Sequence, residues 1–118
     1  MGGLDQKKWG VQSTTIAKDG NLSGVIDMRT VRRVVFITPA AWTAAYIGWK
    51  TAEGENATFV PLRDHAGSLC HTDVTTGQAY EAPPEIEGCH YVKAWSEDGN
   101  GSNAAQADAR TLVLMLKS

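Results

Sequence analysis

Two Cys-His pairs are the first residues in this sequence whose chemistry could bind a metal. Cys70 is followed by His71, and Cys89 is followed by His90. Both pairs lie in segments that alternate like β-strands, and adjacent strand residues point to opposite faces of a sheet. A pair therefore cannot reach one ion without a bulge, and the spacings typical of zinc ligands are absent. The sequence predicts no metal site and no cofactor, and it leaves the redox state of both cysteines open.

The other polar groups do not form a catalytic pattern. His65 follows Asp64, which could be half of a general-base pair, but Asp-His-Ala-Gly is typical of a polar turn. Residues 97–100, Glu-Asp-Gly-Asn, offer oxygen ligands for calcium. They lack the full Asp-x-Asp-x-Asp-Gly loop, so a hairpin turn is the simpler interpretation. Without a nucleophile elbow or a phosphate loop, we expect no catalytic residues and a protein that is not an enzyme.

Composition describes one ordinary domain without bulk affinity for nucleic acid or membranes. The chain has 118 residues and a formal net charge of −2. Arg29, Arg32 and Arg33 form a small basic cluster beside acidic neighbours, which is typical of a solvated strand end. The longest apolar run, residues 112–116, is far too short to span a membrane, and no secretory signal is visible. Two cysteines are not a disulfide framework, so we expect a reducing cytoplasm or a particle assembled in one.

A central stretch, residues 32–63, contains three segments with the composition of strands. The first is Val-Val-Phe-Ile at 34–37, which should end before Pro39 because proline lacks an N–H group. Residues 46–51 and 58–63 follow, separated by a polar turn that contains a glycine. Three strands with two connectors favour an antiparallel sandwich or barrel.

Further strand-like segments flank this stretch. Asp19-Gly20 between two of them is a strong hairpin signal. The last segment is apolar on both faces, which indicates a central strand or an edge covered by something else. We therefore predict an all-β protein: an antiparallel β-sandwich, jelly-roll-like, with about eight short strands. The flanking segments are residues 11–18, 24–28, 68–74, 78–80, 89–95 and 111–116.

The remaining segments are predicted to be arms, corners and loops. Residues 1–10 are expected to be a flexible N-terminal arm before a single sandwich domain at 11–118. The alternative is an arm that docks on a neighbouring subunit, with Trp9 as its anchor. Residues 40–45 should form a corner with one helical turn. Residues 97–103 should form a mobile surface loop, and residues 104–109 should form a second helical turn. The two prolines predict an irregular loop at 82–88.

Six aromatic residues are too many for the core of so small a sandwich. An exposed row of them would favour stacking on sugars or burial against a protein partner. The alternative is that most lie in the core and one or two are scattered over the surface. The residues are Trp42, Tyr46, Trp49, Tyr80, Tyr91 and Trp95.

The central stretch resembles small structural proteins of tailed bacteriophages. The similar residues are Thr-Pro-Ala-Ala-Trp-Thr-Ala-Ala at 38–45, Ile-Gly-Trp at 47–49 and Thr-Phe-Val-Pro-Leu-Arg-Asp at 58–64 with Gly67. The Thr/Ser-rich first strand and Ala-Arg-Thr-Leu-Val-Leu at 109–114 are similar as well. The resemblance covers most of residues 11–116, and its motifs concern packing and turns. It implies a β-sandwich virion component, either a capsid decoration (cement) protein or a head–tail accessory protein.

The resemblance also implies partners. We expect the chain to bind the major capsid protein or other virion proteins, to form a homotrimer or a higher symmetric oligomer, and to be found in the virion after assembly in the bacterial cytoplasm. Neither nucleic acid nor membrane is an expected partner. A carbohydrate-binding module or a tail or neck accessory protein is the alternative, so a glycan ligand stays open. The predicted contact residues are Trp9, Trp42, Tyr46, Asn100 and Asn103.

Overall fold

Two antiparallel sheets packed face to face form the fold. A computed structural model describes residues 9–118, and it confirms the predicted all-β sandwich. Among these residues, no helix is long and apolar enough to cross a membrane. The strands are β1 Trp9–Ile16, β2 Ile26–Asp27, β3 Arg33–Ile37, β4 Tyr46–Ala52, β5 Val60–Pro61, β6 His71–Asp73, β7 Ala79–Glu81, β8 Tyr91–Glu97 and β9 Arg110–Lys117.

The four-stranded sheet has the strand order β1-β9-β3-β7. β1 pairs with β9 over its whole length, from Trp9 opposite Lys117 to Ile16 opposite Arg110. β9 pairs with β3 on its other side, so it is central, as its apolar residues on both faces predicted. Because β1 and β2 lie in different sheets, the predicted hairpin at Asp19 is wrong: the turn carries the chain across the sandwich.

The five-stranded sheet has the order β2-β8-β4, with β5 and β6 both on the far side of β4. β4 and β8 pair from Tyr46 opposite Glu97 to Ala52 opposite Tyr91. β6 pairs with the first half of β4 and β5 with its second half. The corner at residues 40–45 therefore connects β3 in one sheet to β4 in the other.

The core consists of the side chains that alternate inward from both sheets. Phe36 on β3 packs edge-on against Trp49 on β4, with ring centroids 5.7 Å apart, and is stacked on Tyr80 at 5.6 Å. Burying such aromatic rings stabilises the sandwich by removing large apolar areas from water. The buried cluster comprises Ile26, Met28, Val34, Phe36, Ile47, Trp49, Val74, Ala82, Ile86, Val92, Ala94, Leu112 and Leu114.

Local predictions fared less well than the fold class. No helical turn forms at residues 40–45 or 104–109, where small residues make bends stabilised by tertiary hydrogen bonds. A short 3-10 helix, Pro84–Gly88, occupies part of the predicted irregular loop, because Pro84 fits its first turn and Ile86 is buried against the core. β1 begins two residues before the predicted domain start, and the rest of the predicted arm, residues 1–8, lies outside the described residues.

Candidate functional site

A histidine and a glutamate meet at one end of the five-stranded sheet. Nδ1 of His71 lies 3.1 Å from Oε2 and 3.2 Å from Oε1 of Glu97. The ring of Tyr46 lies beside the imidazole, with a centroid distance of 4.7 Å. Glu97 is completely buried and His71 is half-buried. The strand register explains this meeting, because Tyr46 pairs with Glu97, and Gly48 pairs with His71.

The loop after β8 closes over this pair. The backbone N–H of Gly99 donates a hydrogen bond to Oε1 of Glu97. Gly99 has a φ of +94°, and a Cβ there would lie 2.8 Å from the ring of Tyr46. The backbone N–H of Asn100 donates to Oδ1 of Asp98 at 2.8 Å and holds the pKa of that carboxyl below its usual range. The glutamate's oxygens are thus engaged inside the fold, an arrangement that fastens a loop.

A buried glutamine joins three segments at the same end of the sandwich. Nε2 of Gln106 donates to the carbonyl oxygen of Thr43 and to Oγ of Ser96, both at 2.9 Å. Oε1 of Gln106 accepts a hydrogen bond from the backbone N–H of Thr43 at 2.8 Å. The backbone N–H of Gln106 donates a hydrogen bond to the carbonyl oxygen of Gly20, and its carbonyl oxygen accepts one from the backbone N–H of Asp19. Gln106 is fully buried, and these hydrogen bonds fix its segment to the corner at residues 40–45 and to the turn at Asp19.

Four of the five predicted contact residues lie at or near this end. Nε1 of Trp42 donates to the carbonyl oxygen of Ala45 at 3.2 Å, and its ring packs against the core. Oδ1 of Asn103 accepts a hydrogen bond from Nε1 of Trp95 at 2.9 Å. Asn100 is exposed in the turn. The Trp42 ring and the Asn103 amide oxygen therefore have partners within the chain, which makes them part of the fold's own packing.

The remaining predicted contact residues differ in position. Tyr46 is half-buried between His71 and the Gly99 turn. Trp9 is at the opposite end of the sandwich, where it begins β1, and its side chain is outside what the structure describes. The structure thus brings Tyr46 close to the loop that carries Asn100, and it separates Trp9 from them.

Both cysteines lie just before strands, since β6 begins at His71 and β8 begins at Tyr91. Cys70 is buried and His71 faces the outer side of the same sheet. Burial raises the pKa of the Cys70 thiol to about 11. Cys89 is half-buried, and His65 and His90 are exposed. Within residues 9–118, no group of three or more His, Cys, Asp or Glu side chains could hold a metal ion.

A cleft of about 710 Å³ opens at the end of the sandwich away from Gln106. Arg29 lines it and forms a 2.7 Å ion pair with Asp27, whose pKa it lowers to about 2. Arg33 borders an adjoining cleft and is 2.5 Å from Glu81. Because two of the three clustered arginines have acidic partners, the cluster is a solvated strand end, as its sequence indicated.

The aromatic rings on the outer face of the five-stranded sheet are covered by other residues of the chain. Trp95 lies on this face and is only 2% exposed, because Lys50 and the loop after β8 lie over it. All six aromatic residues considered in the sequence are buried or half-buried. Each cation above a ring shields it from water while keeping its own charge solvated. The pairs are Arg29 over Tyr91 at 5.1 Å, Lys50 over Trp95 at 4.6 Å and Lys93 over Phe59 at 4.7 Å.

The outer face of the four-stranded sheet is different, because its middle is apolar. The strand register places Val11, Met115 and Val35 in one row, which ends at Glu81 on β7. It places Val113, Ile37 and Ala79 in the next row, which ends at Ser13 on β1. Val11 is 74% exposed, Ala79 is exposed and the other four are half-buried. We call these six residues the apolar face. Outward strand positions in a sandwich are usually polar, so a group of six apolar residues there is unusual.

Polar groups border the apolar face at both ends. The ion pair between Arg33 and Glu81 lies at one end, and the hydroxyl groups of Thr15 and Thr111, 3.0 Å apart, lie at the other. An apolar centre with a polar rim is the usual anatomy of a protein–protein interface. The sequence contained a signal for it: residues 34–37 and 112–116 are apolar at consecutive positions, which a strand with one solvated face would not be.

Comparisons with known proteins bear on the fold. No family model matches the chain, and no curated protein matches it either. Among solved structures, the chain is similar to the crystal structure of the SPBc2 prophage-derived protein YomS. The TM-score is 0.57 at 13% sequence identity, and the match covers 94% of this chain and 96% of that one. The likeness extends over almost all of both chains and establishes a shared fold.

Proposed function

We propose that this protein is a structural component of a phage virion, a capsid decoration (cement) protein that binds and stabilises neighbouring capsid subunits. In this proposal it acts by contact, without catalysis. The apolar face is the single observation that carries the proposal. Support for a phage setting comes from the fold shared with a prophage-derived protein over 94% of this chain.

The apolar face suits docking on a shell. It spans three adjacent strands and the edge of β7, held in register by the pairing of β9 with β1 and β3. Such a surface loses little conformational entropy on binding, because strand pairing already fixes its backbone and its valine and isoleucine side chains have few rotamers. Its valines, isoleucine and methionine would be removed from water by a capsid subunit with a matching apolar patch. Many copies on one shell would add their modest contacts.

The opposite face fits the role of an outward surface. Its aromatic rings are covered by lysine and arginine side chains and by the loop after β8, so it offers charge to solvent. This cover also weakens the alternative of a carbohydrate-binding module. Stacking on sugars needs an open ring, whereas Trp95 is 2% exposed and Trp49 is 1% exposed.

Binding to empty shells tests the proposal. We expect the purified protein to cosediment with shells and to raise their melting temperature. Val113→Lys should weaken binding by about a hundredfold, because an unpaired ammonium group would be buried at the contact. Val60→Lys is the matched control: Val60 is 52% exposed on the other sheet, and the same change there should leave binding intact.

Three results would count against the proposal. Shells that melt identically with and without the protein would remove the cement role. Equal binding of the two lysine variants would show that the apolar face is not the contact. Binding to tails or necks in place of shells would favour the accessory-protein alternative.

A further inference from the structure

The open edge of β1 is unlike the other edges of the sandwich. β1 is eight residues long, and its sequence, Trp-Gly-Val-Gln-Ser-Thr-Thr-Ile, contains neither a charged residue nor a proline. It pairs with β9 without a bulge at every residue. Among the described segments, only β9 forms backbone hydrogen bonds with it. Every second residue of β1 therefore presents its N–H and C=O groups outward from the sheet.

The other edge strands carry the devices that prevent edge-to-edge pairing. They are two or three residues long, and each has a proline or a carboxylate: Asp27 in β2, Pro61 in β5, Asp73 in β6 and Glu81 in β7. Short length, charge and proline are the usual means by which sandwiches avoid pairing with other chains. A long edge without any of them, in a molecule that protects its other edges, is an edge adapted to pairing.

We propose that β1 pairs antiparallel with β1 of a second copy of this chain, giving a two-fold dimer with one continuous eight-stranded sheet. This inference rests on the edge alone and does not depend on the virion role. It differs from the homotrimer or higher oligomer that the resemblance implied, because pairing of two identical edges closes after two copies. A second copy of the chain is the partner that fits this edge best. Because β1 has no charged residue, two copies of it can pair without bringing like charges together. The two-fold also satisfies both open edges at once, as an isologous contact does.

Pairing in this way keeps outward side chains on the same side of the joined sheet. Val11, Ser13 and Thr15 alternate outward on β1, so they would face the same three residues of the second copy. Ser13 is the middle one, and it would lie opposite or diagonal to the equivalent Ser13, within about 8 Å. The two apolar faces would then form one surface, twice as wide, on one side of the dimer.

Sedimentation of the full chain over a range of concentrations tests the dimer without any shell. The wild type should sediment as a monomer–dimer equilibrium. Ser13→Lys should raise the dissociation constant about fivefold or more, because two ammonium groups meet at the two-fold. Mixing the Ser13→Lys and Ser13→Glu variants in equal amounts should restore the dimer. Val60→Lys is the control: Val60 is 52% exposed on β5 of the other sheet, so this variant should still dimerise.

Hydrogen exchange gives a second readout. Amides of alternate β1 residues should become more protected as concentration rises, while β7 amides should not change. A wild type that stays monomeric at millimolar concentration would overturn the proposal. So would a trimer, or a dimer that Ser13→Lys leaves unchanged, since either would place the contact elsewhere. Because the shell assay uses Val113→Lys and this one uses Ser13→Lys, failure of either proposal can be distinguished from failure of the other.

Discussion

On both sheets of this sandwich alternate side chains point outward, but the two outer faces differ in whether the chain covers them. On the five-stranded sheet, Trp95 lies under Lys50 and a loop that Glu97 and Gln106 hold in place. On the four-stranded sheet, the apolar face has no such cover among residues 9–118. The chain thus covers the aromatic rings of one face by itself and leaves the aliphatic side chains of the other to be covered by something else. This difference is the reason why we propose the four-stranded face as the contact surface.

The largest effect should come from removing the glutamine that holds the covered end together. Gln106→Ala should lower the free energy of unfolding by about 4 kcal/mol, because the N–H and C=O of Thr43 and the hydroxyl of Ser96 lose their buried partner. Urea denaturation measures the change. The matched control is Gln78→Ala, which truncates an exposed side chain and should cost less than about 0.5 kcal/mol. A loss below about 1 kcal/mol in Gln106→Ala would mean that the cover does not depend on this residue.

A second prediction concerns the glycine of the covering loop. Gly99→Ala should lower the free energy of unfolding by about 3 kcal/mol. The φ of +94° at Gly99 strains any residue with a side chain, and the alanine Cβ would lie 2.8 Å from the Tyr46 ring. Gly67 has a similar φ of +86° with nothing within 4 Å of the added Cβ. Gly67→Ala should therefore cost only about 1 kcal/mol. Equal losses in the two variants would show that the contact with Tyr46 does not matter.

Adjacent valines on β3 compare the open face with the core directly. Val34 is 2% exposed in the core, and Val35 lies on the apolar face. Val34→Thr should lower the free energy of unfolding by about 2 kcal/mol, because a hydroxyl group enters the core. Val35→Thr should lower it by only about 0.5 kcal/mol. Thermal unfolding of both variants gives the comparison. If Val35→Thr were as damaging as Val34→Thr, the face we describe as open would be covered by the chain itself.

The smallest effect concerns the pH dependence of the core next to β6. The pKa of Cys70 is raised by burial to about 11, so the folded state favours the neutral thiol. The stability that this provides is complete below the unfolded pKa of 9.0 and is lost as the pH rises toward 11. At pH 10 the free energy of unfolding of the wild type should be about 1 kcal/mol lower than it is below pH 9. The Cys70→Ala variant should not show this loss. Equal pH profiles for the two proteins between pH 9 and 11 would contradict this.

Strand identity was readable from the sequence, because alternation and β-branched runs are local features. The runs at 34–37 and 46–51 and the closing strand lie in β3, β4 and β9. Strand partners were not readable. Asp19-Gly20 has the chemistry of a hairpin turn, yet β1 pairs with β9, ninety or more residues away in sequence, because inward side chains of both sheets must share one core.

The proposed contact surface was only partly predictable. Trp42 and Asn103 were predicted as contact residues, since large aromatics and loop amides are common at interfaces. Both form hydrogen bonds within the chain, and a role at an interface stays a prediction for them. Gln106 had no pattern that marks it as buried, because its partners come from distant segments. The apolar face depends on which strands lie side by side, so Val11 and Val35 could not be joined into one surface before the sheet order was known.

Oxidation of a single methionine on the shell tests the central claim most directly. Met115 lies in the middle of the apolar face, and Met28 is 1% exposed in the core, so it serves as the internal reference. Hydroxyl radicals should oxidise Met115 readily in the free protein, and much more slowly once the protein is bound to shells, while Met28 stays unreactive in both. Oxidation of Met115 at the same rate in the bound and free protein would contradict the account, because the apolar face would then remain open to water in the shell-bound protein.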